Sequence, residues 1–478
     1  MYLNEILKNI NYIEVVGVKK RDVSDIKIDS KKVLKGDLFI CIKGRNFDGH
    51  DFISEVESYG AIVVVTEKRL PTSITQVIVK DTRIAMNEIA RAFYDFPDKK
   101  LKILGVVGTN GKTTITYMIK GLFESVGVKC GVIGTLGVKF GSKNIESNLT
   151  TPDPIELFSA LDKMYKNDIK VVVMEVSAHA IYYGKLNGIN FEVGIFTNCT
   201  RDHLDFFNSF EEYRQTKLSF FKQNVCKYIL TNVDDSLGLE ISKLSSNCIT
   251  YGIYSPSDVF AMEIIKSSKG TKFILNLFDC IYKVKLKLIG EFNVYNALAS
   301  ASAVALYGLN TDKIVEGINS LSVVSGRLEK IFDRDFSVFI DYAHTPDGLE
   351  KTIRSLKEIT TNRIITVFGC GGDRDKGKRF EMGKISGELS DFSIITSDNP
   401  RFEEPMDIIF EIERGVLFKS KNYILIQDRV EAIKYAINIA EKGDVVLIAG
   451  KGCEKYQEVL GIKHLYNDKD TVKELLRG

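Results

Sequence analysis

Short runs of apolar residues recur along this 478-residue chain, separated by longer stretches in which apolar positions follow helical spacing. The runs at 102–107, 171–174 and 193–197 are largely apolar and give way to polar or glycine residues. Continuous apolar runs of this length are typical of strands in a parallel sheet, because helices cover both faces of such a sheet. The pattern therefore predicts an α/β fold with buried parallel strands.

A second alternation of strand and helix patterns begins near residue 327. Four apolar runs there predict strands at 337–340, 363–368, 392–396 and 445–449. Helical patterns separate these runs, which indicates a doubly wound unit of the Rossmann-like type. Ligands of such folds bind at the carboxyl ends of the strands, so polar residues that follow the strands are candidates for function.

The length and the changes of pattern predict about three domains. The first is a small α/β domain with short strands at 37–42 and 61–65, and a polar, proline-containing link ends it near residue 97. The second has a mostly parallel sheet, and the third is the doubly wound unit. The predicted domains cover residues 1–97, 98–326 and 327–478.

Charge and cysteine content narrow the class of protein. Lys and Arg number 65 against 63 Asp and Glu, so the net charge of +2 gives no global basic field for nucleic acid or an anionic membrane. The eight cysteines are scattered and include no Cys-x-x-Cys pair, which fits a reducing cytosol. The uncharged stretch 292–311 contains Asn and Ser and predicts a buried helix rather than a membrane span. We therefore expect a cytoplasmic protein without a signal peptide.

The segment 108–114 has the strongest chemical signal. It lies between the predicted strand at 102–107 and a helical pattern at 115–123. In the order strand, glycine loop, helix, the loop amides and the helix N-terminus point at an anion. A lysine beside them reaches β/γ-phosphates, and a threonine hydroxyl holds Mg²⁺. The spacing is the shorter Gly-x-x-Gly-Lys-Thr form, and the predicted ATP-binding residues are Gly108, Thr109, Asn110, Gly111, Lys112, Thr113 and Thr114.

Polar residues follow the predicted strands of the central domain. Glu175 comes directly after the run at 171–174, and a carboxylate at a strand end beside a phosphate loop is a natural Mg²⁺ ligand. Without that loop, a capping or solvated carboxylate would be the better interpretation. His203 alone is more often a structural histidine, and Lys217 alone predicts a surface lysine on an amphipathic helix.

Several motifs together resemble the Mur ligases of peptidoglycan synthesis, and they occur in the family's order through all three predicted domains. The motifs are Gly-Thr-Asn-Gly-Lys-Thr at 108–113, Met-Glu-Val-Ser-Ala-His at 174–179, Asn198 with Asp-His-Leu-Asp at 202–205, Tyr-Arg-Gln-Thr-Lys at 213–217, Gly-Glu-Phe-Asn at 290–293, Ser-Gly-Arg-Leu-Glu at 325–329, and Asp-Tyr-Ala-His-Thr-Pro at 341–346.

Within the family, residues 369–379 and 398–401 resemble the ligase that extends UDP-N-acetylmuramoyl-L-alanyl-D-glutamate, and Asp-Asn-Pro-Arg at 398–401 is similar to its meso-diaminopimelate-adding type. The resemblance implies that ATP phosphorylates the substrate's free carboxylate. The amine of the amino acid then attacks the acyl phosphate and gives an amide, ADP and phosphate. It also implies ATP and Mg²⁺ as cofactors, and we expect a monomer.

The resemblance assigns the reacting residues. Lys112, Glu175, His203 and Lys217 would be catalytic. Thr113 and Glu175 would hold one Mg²⁺ and His203 a second, with Lys217 as a further metal ligand. The family's matching lysine is carbamylated by CO₂ (N6-carboxylysine), which adds oxygen anions for the metal. Further ATP contacts would be Asn293, Arg327, Asp341 and His344. From the residues alone, a hinge salt bridge for Arg327 and a helix N-cap for Asn293 stay open.

Two further sets of contacts are implied. The UDP-substrate would contact the first domain and the strand ends of the second, through Ser30, Thr150, Thr151, Ser177 and Lys185, and His50 is a further candidate. Lys31 and Lys185 stand where the family commonly has Arg, and Tyr183 where Gln can occur; Lys keeps the charge but not the bidentate fork. The amino acid would contact Arg374, Asp398, Asn399, Arg401, Gly450 and Glu454.

Roles follow for that last set. Arg401 and Asn399 would bind the distal carboxylate of meso-diaminopimelate, Glu454 its distal ammonium, and Arg374 the other carboxylate. A surface ion pair of Arg401 with Glu403 or Glu404 is the plainer alternative. L-lysine is the alternative substrate. A folylpolyglutamate synthase-like ligase is more remote, because that enzyme lacks the N-terminal uridine domain and Asp-Asn-Pro-Arg. A nucleotide switch is a further class, but the guanine motif Asn-Lys-x-Asp is absent.

Overall fold

The computed structural model describes residues 1–44, 47–147, 149–223 and 225–477. The N-terminal part forms a five-stranded sheet in the order β1-β5-β4-β3-β2, in which β1 is antiparallel and the other pairs are parallel. The predicted runs at 37–42 and 61–65 are confirmed as β3 and β4. The elements are α1 Leu3–Ile6, β1 Glu14–Val16, β2 Ile26–Lys27, β3 Leu38–Ile40, α2 Ile53–Ser58, β4 Val63–Thr66, β5 Thr75–Ile78 and α3 Thr82–Phe93.

Both faces of this sheet are covered. Along β4, Val63 and Val65 join one apolar cluster with residues of α1 and α3, while Val64 joins a second cluster with Ile53 and Val56 of α2. Successive side chains of a strand point to opposite faces, so an unbroken apolar run must be buried on both. That is why the run at 61–65 predicts a central strand.

The middle of the chain alternates strands with helices. Its elements are β6 Lys102–Val107, α4 Lys112–Ser125, β7 Cys130–Gly134, β8 Gly137–Phe140, β9 Lys143–Ile145, α5 Pro154–Lys166, β10 Val171–Val176, α6 Ala178–Tyr182, β11 Phe191–Phe196, α7 Phe210–Lys222, β12 Cys226–Asn232, α8 Ser236–Ile241, β13 Cys248–Gly252, β14 Val259–Ser267, β15 Gly270–Leu277, β16 Cys280–Leu286, α9 Glu291–Tyr307 and α10 Thr311–Ser320. The predicted strands at 102–107, 171–174 and 193–197 are confirmed, and β10 extends two residues further, through Glu175 and Val176.

By contacts the chain divides into two compact units. In the first, β10 pairs in parallel with β7, and β8 and β9 follow as antiparallel neighbours. In the second, β12, β13 and β14 pair in parallel, and β15 and β16 extend β14 as an antiparallel meander. The first unit comprises Met1–Gly105, Gly127–Gly194 and Ser219–Lys227, and the second comprises Val106–Val126, Ile195–Leu218 and Tyr228–Gly478.

The C-terminal part forms a six-stranded sheet in the order β17-β18-β22-β19-β20-β21. All four predicted strands are present, as β18, β19, β20 and β22, and they pair in parallel. The elements are β17 Glu329–Asp333, β18 Ser337–Asp341, α11 Pro346–Lys357, β19 Ile364–Phe368, α12 Gly377–Leu389, β20 Phe392–Ile395, α13 Pro405–Leu417, β21 Tyr423–Leu425, α14 Arg429–Ile439, β22 Val445–Ala449, β23 Tyr456–Val459, β24 Ile462–Leu465 and α15 Asp468–Leu475.

The doubly wound prediction is confirmed by the two faces of this sheet. Phe339 of β18 joins an apolar cluster with residues of α11, α12 and α13. Its neighbours Val338 and Ile340 join a cluster on the opposite face with residues of α14 and α15. No helix among the described residues is both long and apolar enough to cross a membrane.

A buried ion pair ties α14 to α15. The guanidinium of Arg429 donates from Nε and Nη2 to the two carboxylate oxygens of Asp468, at 2.8 and 2.9 Å, and Nη2 also donates to the Ala449 carbonyl at 3.0 Å. Burial alone would lower the pKa of Arg429, but the charge of Asp468 raises it. Both side chains are essentially inaccessible, so each charge depends on the other.

We expect Asp468→Asn to lower the free energy of unfolding by about 3–5 kcal/mol, because the guanidinium would stay buried without its counter-charge. Urea titration followed by circular dichroism measures the change. The matched control is Asp470→Asn on the exposed side of the same helix. It should cost at most about 1 kcal/mol through the helix dipole. Equal effects of the two changes would contradict the prediction.

Candidate functional site

The glycine loop at 108–114 connects β6 to α4, as the sequence predicts. α4 begins at Lys112, and Gly111 before it has a φ of 87°, which favours glycine. A Cβ at Gly108 would lie 1.8 Å from Thr197 Oγ1, so only glycine fits at this position. The loop is therefore held tightly against the end of β11, with the N-terminus of a 14-residue helix behind it.

Asn198 holds this loop from the end of β11. Its Oδ1 accepts from the Asn110 amide at 2.9 Å, and its Nδ2 donates to the Asn110 carbonyl at 3.2 Å. The Asn198 carbonyl accepts from the Thr109 amide at 2.9 Å. One residue thus fixes three consecutive peptide units of the loop.

Two cations lie at the loop. Lys112 Nζ donates to the carbonyls of Gly108 and Thr109, both at 2.9 Å. Arg327 Nη2 donates to Thr113 Oγ1 at 2.9 Å, and its guanidinium lies 4.3 Å from the centre of the Tyr342 ring. Arg327 therefore reaches the loop, as the resemblance implies.

Lys217 is buried, so the interpretation of it as a surface lysine is wrong. Only 1% of the residue is exposed, and its Nζ donates to Thr109 Oγ1 at 2.7 Å and lies 3.8 Å from the centre of the Tyr213 ring. Burial lowers its pKa to about 7, with the charge of Lys112 as a further cause. The residue is an amine beside the phosphate loop that loses its proton near neutral pH.

His203 and Asp202 follow in the loop after β11. His203 has a φ of 57°, its side chain is 40% exposed, and its Nε2 lies 3.4 Å from Asp202 Oδ2. Burial alone would raise the pKa of Asp202, but the charges of His203, His344 and Lys378 lower it to about 2. This segment therefore has a fixed negative charge with histidine beside it.

The other predicted ATP contacts have clear structural partners. Asn293 is buried in the first turn of α9, where its Nδ2 donates to the Ile289 carbonyl at 2.8 Å; Gly290 is the N-cap, so the N-cap alternative for Asn293 is wrong. Asp341 accepts from the amides of Leu328 and Ala343, at 2.6 and 2.9 Å, although burial raises its pKa.

His344 is bonded through Nδ1 to the Tyr342 carbonyl at 2.9 Å. Burial lowers its pKa, and the charge of Lys378 adds to that shift. The imidazole is therefore held in its neutral form, with Nδ1–H donating, since a carbonyl can only accept. The two ring nitrogens then have different roles, and only Nε2 can accept a hydrogen bond.

Glu175 and its neighbours belong to the first unit. Glu175 lies within β10 rather than after it, and its carboxylate accepts from the amide and hydroxyl of Thr135 at 2.9 and 3.2 Å. Thr151 Oγ1 donates to the Glu175 carbonyl at 2.8 Å and also contacts Ser177 Oγ at 3.2 Å. Thr150 Oγ1 lies 3.2 Å from Thr135 Oγ1, so these four predicted residues form one polar cluster.

The other predicted contacts to the UDP-substrate, Ser30, Lys185 and His50, each have partners outside this cluster. Ser30 is buried at the start of a short 3₁₀ helix, Ser30–Lys32. Lys185 Nζ forms an ion pair with Asp153 Oδ1 at 2.7 Å. His50 is bonded at both ring nitrogens, to Asp48 Oδ1 at 2.6 Å and to the Glu67 amide at 3.2 Å, which is a structural role.

Four of the six predicted amino-acid residues meet at the carboxyl ends of β20 and β22. Asp398 and Asn399 are buried, and Asn399 Nδ2 donates to Glu454 Oε2 at 3.0 Å. Gly450 has a φ of 110°, and a Cβ there would lie 2.7 Å from Asp398 Oδ2. These four residues therefore form one contiguous group.

Arg401 does not pair with Glu403 or Glu404, so that alternative is wrong. Its Nε lies 3.2 Å from Glu458 Oε2, and its Nη1 donates to the Gly372 carbonyl at 2.7 Å. Glu403 accepts instead from Arg379. Arg374, the last predicted contact, is half exposed, with Nη1 3.7 Å from Asp205 Oδ2.

The second unit thus contains the phosphate loop, Lys217, Arg327 and the amino-acid group, whereas Ser30, Lys185 and the Glu175 cluster belong to the first unit. Within the residues described, no three His, Cys, Asp or Glu side chains form a ready metal centre. Thr113 in the second unit and Glu175 in the first each have oxygen donors of the hard kind that Mg²⁺ prefers.

The set of predicted site residues omitted four residues that the structure brings into these groups: Asn198, Lys378, Lys451 and Glu458. Asn198 and Lys378 lie within motifs that carry the resemblance to the Mur ligases. Lys451 directly follows Gly450 at a strand end, which was an available signal. Glu458 lies on β23, and nothing in the sequence around it indicates that it contacts Arg401.

Three family models match the chain: "Mur ligase family, catalytic domain" over residues 22–96, "Mur ligase middle domain" over 106–304, and "Mur ligase, glutamate ligase domain" over 326–452. UDP-N-acetylmuramoyl-L-alanyl-D-glutamate–2,6-diaminopimelate ligase 1 of Clostridium acetobutylicum is 44% identical over 485 residues, which cover 100% of this chain and 99% of that protein.

Solved structures match as well. A structure of UDP-N-acetylmuramoyl-L-alanyl-D-glutamate–2,6-diaminopimelate ligase has a TM-score of 0.70 and 31% identity, and covers 100% of this chain and 99% of its own. Folylpolyglutamate synthase of Mycobacterium tuberculosis has a TM-score of 0.63 and 17% identity over 77% of this chain and 92% of its own, which shows a likeness of fold alone.

We expect Asn198→Ala to weaken nucleotide binding by about 10–100-fold, because groups that orient a ligand's direct contacts typically have effects of this size. The loop would lose both side-chain bonds to Asn110. Calorimetric titration with ADP measures the change. Asn208→Ala, an exposed asparagine nearby, is the control and should bind ADP normally. Unchanged ADP affinity in a folded Asn198→Ala protein would refute the role of Asn198.

Proposed function

This chain belongs to the Mur ligase family, and we propose that it joins meso-diaminopimelate to UDP-N-acetylmuramoyl-L-alanyl-D-glutamate in an ATP-dependent reaction of peptidoglycan synthesis. Members of the family are ATP-dependent ligases that form amide bonds and need Mg²⁺. The α/β Mur ligase fold is confirmed by the solved structure that covers 100% of the chain. Folylpolyglutamate synthase remains a distant relative in fold only.

The observation that carries the proposal is the buried amine of Lys217 beside the phosphate loop. A nucleotide switch or a binding module needs no buried lysine with a pKa of about 7 at this place. A ligase that reacts a carboxylate with ATP needs added negative oxygens for the metal, and a carbamate on a neutral lysine supplies them. CO₂ reacts with the neutral amine, which burial makes available near neutral pH.

The first step is phosphoryl transfer, which depends on positioning and on neutralising charge. The loop amides at 108–114 and the N-terminus of α4 would bind the phosphates, and Lys112 would exchange the carbonyls of Gly108 and Thr109 for phosphate oxygens. Arg327 donates to Thr113 and so has its guanidinium at the same place. Mg²⁺ would supply further positive charge, with Thr113, His203 and carbamylated Lys217 of the second unit as its ligands.

The second step is the attack of the amine on the acyl phosphate, which forms the C–N bond and releases phosphate. His344 accepts protons only at Nε2, because its Nδ1–H is bonded to the Tyr342 carbonyl. Its pKa is lowered, so it is neutral at ordinary pH and would accept at Nε2 the proton that the amine nitrogen loses as the C–N bond forms. Asn293 and Asp341 would contribute to nucleotide binding from their fixed positions.

The three predicted domains would divide the substrates. Residues 1–97 would bind the uridine end through Ser30, 98–326 the ATP and the dipeptide through Thr150, Thr151, Ser177 and Lys185, and 327–478 the amino acid. The group of Asp398, Asn399, Gly450 and Glu454, with Arg401, offers one cation, one amide and two carboxylates, of which Glu454 is the more exposed. That combination fits the carboxylate and ammonium of a distal amino-acid centre. We place the protein in the cytoplasm as a monomer.

Carbamylation of Lys217 should follow pH through about 7, the pKa to which burial lowers this amine. Below that pH the amine is protonated and does not react with CO₂, and above it the carbamate forms. An exposed lysine would lose its proton, and so react, only at a pH of about 10.4. Carbon-13 NMR with labelled bicarbonate measures the signal, and Lys217→Ala is the control that should lack it.

The same variant should lose about 10²–10³-fold in turnover, the usual effect of removing a contact to charge in the transition state. Short carboxylic acids should partly restore activity by replacing the missing oxygens. A Lys217→Ala protein with near-normal activity would contradict the carbamate.

Arg401→Ala should lose most activity with meso-diaminopimelate and much of the preference over L-lysine, while the KM for ATP changes little. The reason is that a site built to bind a polar group can reject an analogue without it by about 10⁴-fold. ADP release with each amino acid measures the ratio. Arg414→Ala, an exposed arginine on α13, should leave it unchanged. Wild-type protein that uses both amino acids equally would refute the selection of meso-diaminopimelate.

A further inference from the structure

Lys451 is completely buried at the centre of the amino-acid group. Its Nζ donates to Asn399 Oδ1 and to Glu454 Oε2, both at 2.9 Å, and lies 3.9 Å from Asp398 Oδ1. None of its side chain is exposed, so it has no access to a ligand from solvent. Its three neighbours are all residues that we assign to binding of the amino acid.

These bonds fix the orientation of the Asn399 amide. Its Oδ1 accepts from two donors, Lys451 Nζ and the Glu458 amide, each at 2.9 Å, and its Nδ2 donates to Glu454 at 3.0 Å. The opposite orientation would place NH₂ against an ammonium and an N–H group. Nδ2 has two N–H groups and only one is bonded to Glu454, so the other remains for a ligand carboxylate.

Glu458 holds Arg401 in a similar way. The Arg401 amide donates to the Glu458 carbonyl at 3.0 Å, and the Arg401 Nε lies 3.2 Å from Glu458 Oε2. With Nη1 donating to the Gly372 carbonyl, the side chain is fixed at two points. A guanidinium has five N–H donors, so donors remain for a ligand after these two contacts.

We propose that Lys451 and Glu458 are positioning residues that set the preference for a distal amino-acid centre bearing both a carboxylate and an ammonium. Neither touches the substrate: Lys451 orients Asn399 and Glu454, and Glu458 orients Arg401. They are linked, because both donate to the same Asn399 oxygen, Lys451 from Nζ and Glu458 from its backbone amide. This inference rests on the proposed function.

The charges support such a role. Glu454 would contribute one carboxylate to the ammonium of the ligand, and Lys451 bonds only its Oε2, so among the described hydrogen bonds Oε1 is not used. Lys451 also offsets the burial of Asp398, whose pKa is lowered by Lys451 and Arg429 although burial alone would raise it. Without Lys451, Asn399 Oδ1 and Glu454 Oε2 would lose a hydrogen-bond donor, and Asp398 would lose a nearby positive charge.

The test uses the full-length protein, UDP-N-acetylmuramoyl-L-alanyl-D-glutamate, ATP and either meso-diaminopimelate or L-lysine. Lys451→Met should raise the KM for meso-diaminopimelate by about 10–100-fold, as loss of an orienting partner typically does. The KM for ATP should change less than about twofold, because Lys451 has no contact with the phosphate loop. The preference over L-lysine should fall, and Lys451→Arg, which keeps the charge, should recover part of it.

Glu458→Gln is the second variant, because this side chain is 21% exposed and the change keeps its size, so folding is not at risk. It should raise the same KM and lower the same preference. Lys463→Met is the matched control: Lys463 is exposed and lies opposite Glu458 in the β23–β24 ladder, and its removal should change neither value.

The outcomes separate the two claims. Wild-type protein that does not use meso-diaminopimelate would contradict the proposed function. Wild-type protein that uses it, with unchanged KM and preference in both Lys451→Met and Glu458→Gln, would contradict the positioning role. An equal loss for both amino acids together with a raised KM for ATP would show that the residues act only on stability, and would also overturn the inference. If Lys451→Met does not fold, Glu458→Gln decides.

Discussion

Buried positive charge is the constraint on which this site depends. Lys217, Arg379, Arg429 and Lys451 are almost fully inaccessible, and a buried cation is stable only when it is paired or when it loses its proton. Three of them have carboxylate partners within 3.0 Å. Lys217 is held by a hydroxyl and an aromatic ring instead, and its pKa falls to about 7. Burial therefore leaves Arg379, Arg429 and Lys451 charged, because each has a carboxylate partner, and makes Lys217 an amine that can react near neutral pH.

Every cation that we assign to a ligand already has a partner within the protein. Lys112 is bonded to two loop carbonyls, Arg327 to Thr113, and Arg401 to Glu458 and the Gly372 carbonyl. Ligand atoms would replace the acceptors of Lys112 and Arg327, so the net free energy of each such contact is the small difference between two hydrogen bonds, whereas Arg401 would bind through N–H donors that its two partners leave unused. Specificity then depends on how well the protein keeps each side chain in the same position in the free and the ligand-bound protein. Residues that hold the direct contacts from behind therefore contribute to specificity.

Much of the fold follows from the sequence because buried parallel strands are continuous apolar runs. β17 and β21 escaped prediction because β17 is a half-buried, charged edge strand and β21 has three residues. The burial of Lys217 had a local signal: it lies four residues after Tyr213 and four before Phe221, both buried on the same face of α7. Contacts such as Arg401 with Glu458 join residues 57 apart and depend on a hairpin whose placement no local pattern specifies.

Lys378 shows how the phosphate end and the amino-acid end of the second unit are related. It lies in the first turn of α12 and is 9% exposed. Its charge lowers the pKa of Asp202, of His344 and of Asp398, after the larger effect of burial in each case. Asp202 precedes the predicted metal ligand His203, whereas Asp398 begins the amino-acid segment. In a medium of low dielectric constant the charge of one ammonium acts over a longer range than in water. The single buried cation Lys378 therefore stabilises the negative charge of Asp202 beside the predicted metal ligand and that of Asp398 in the amino-acid group.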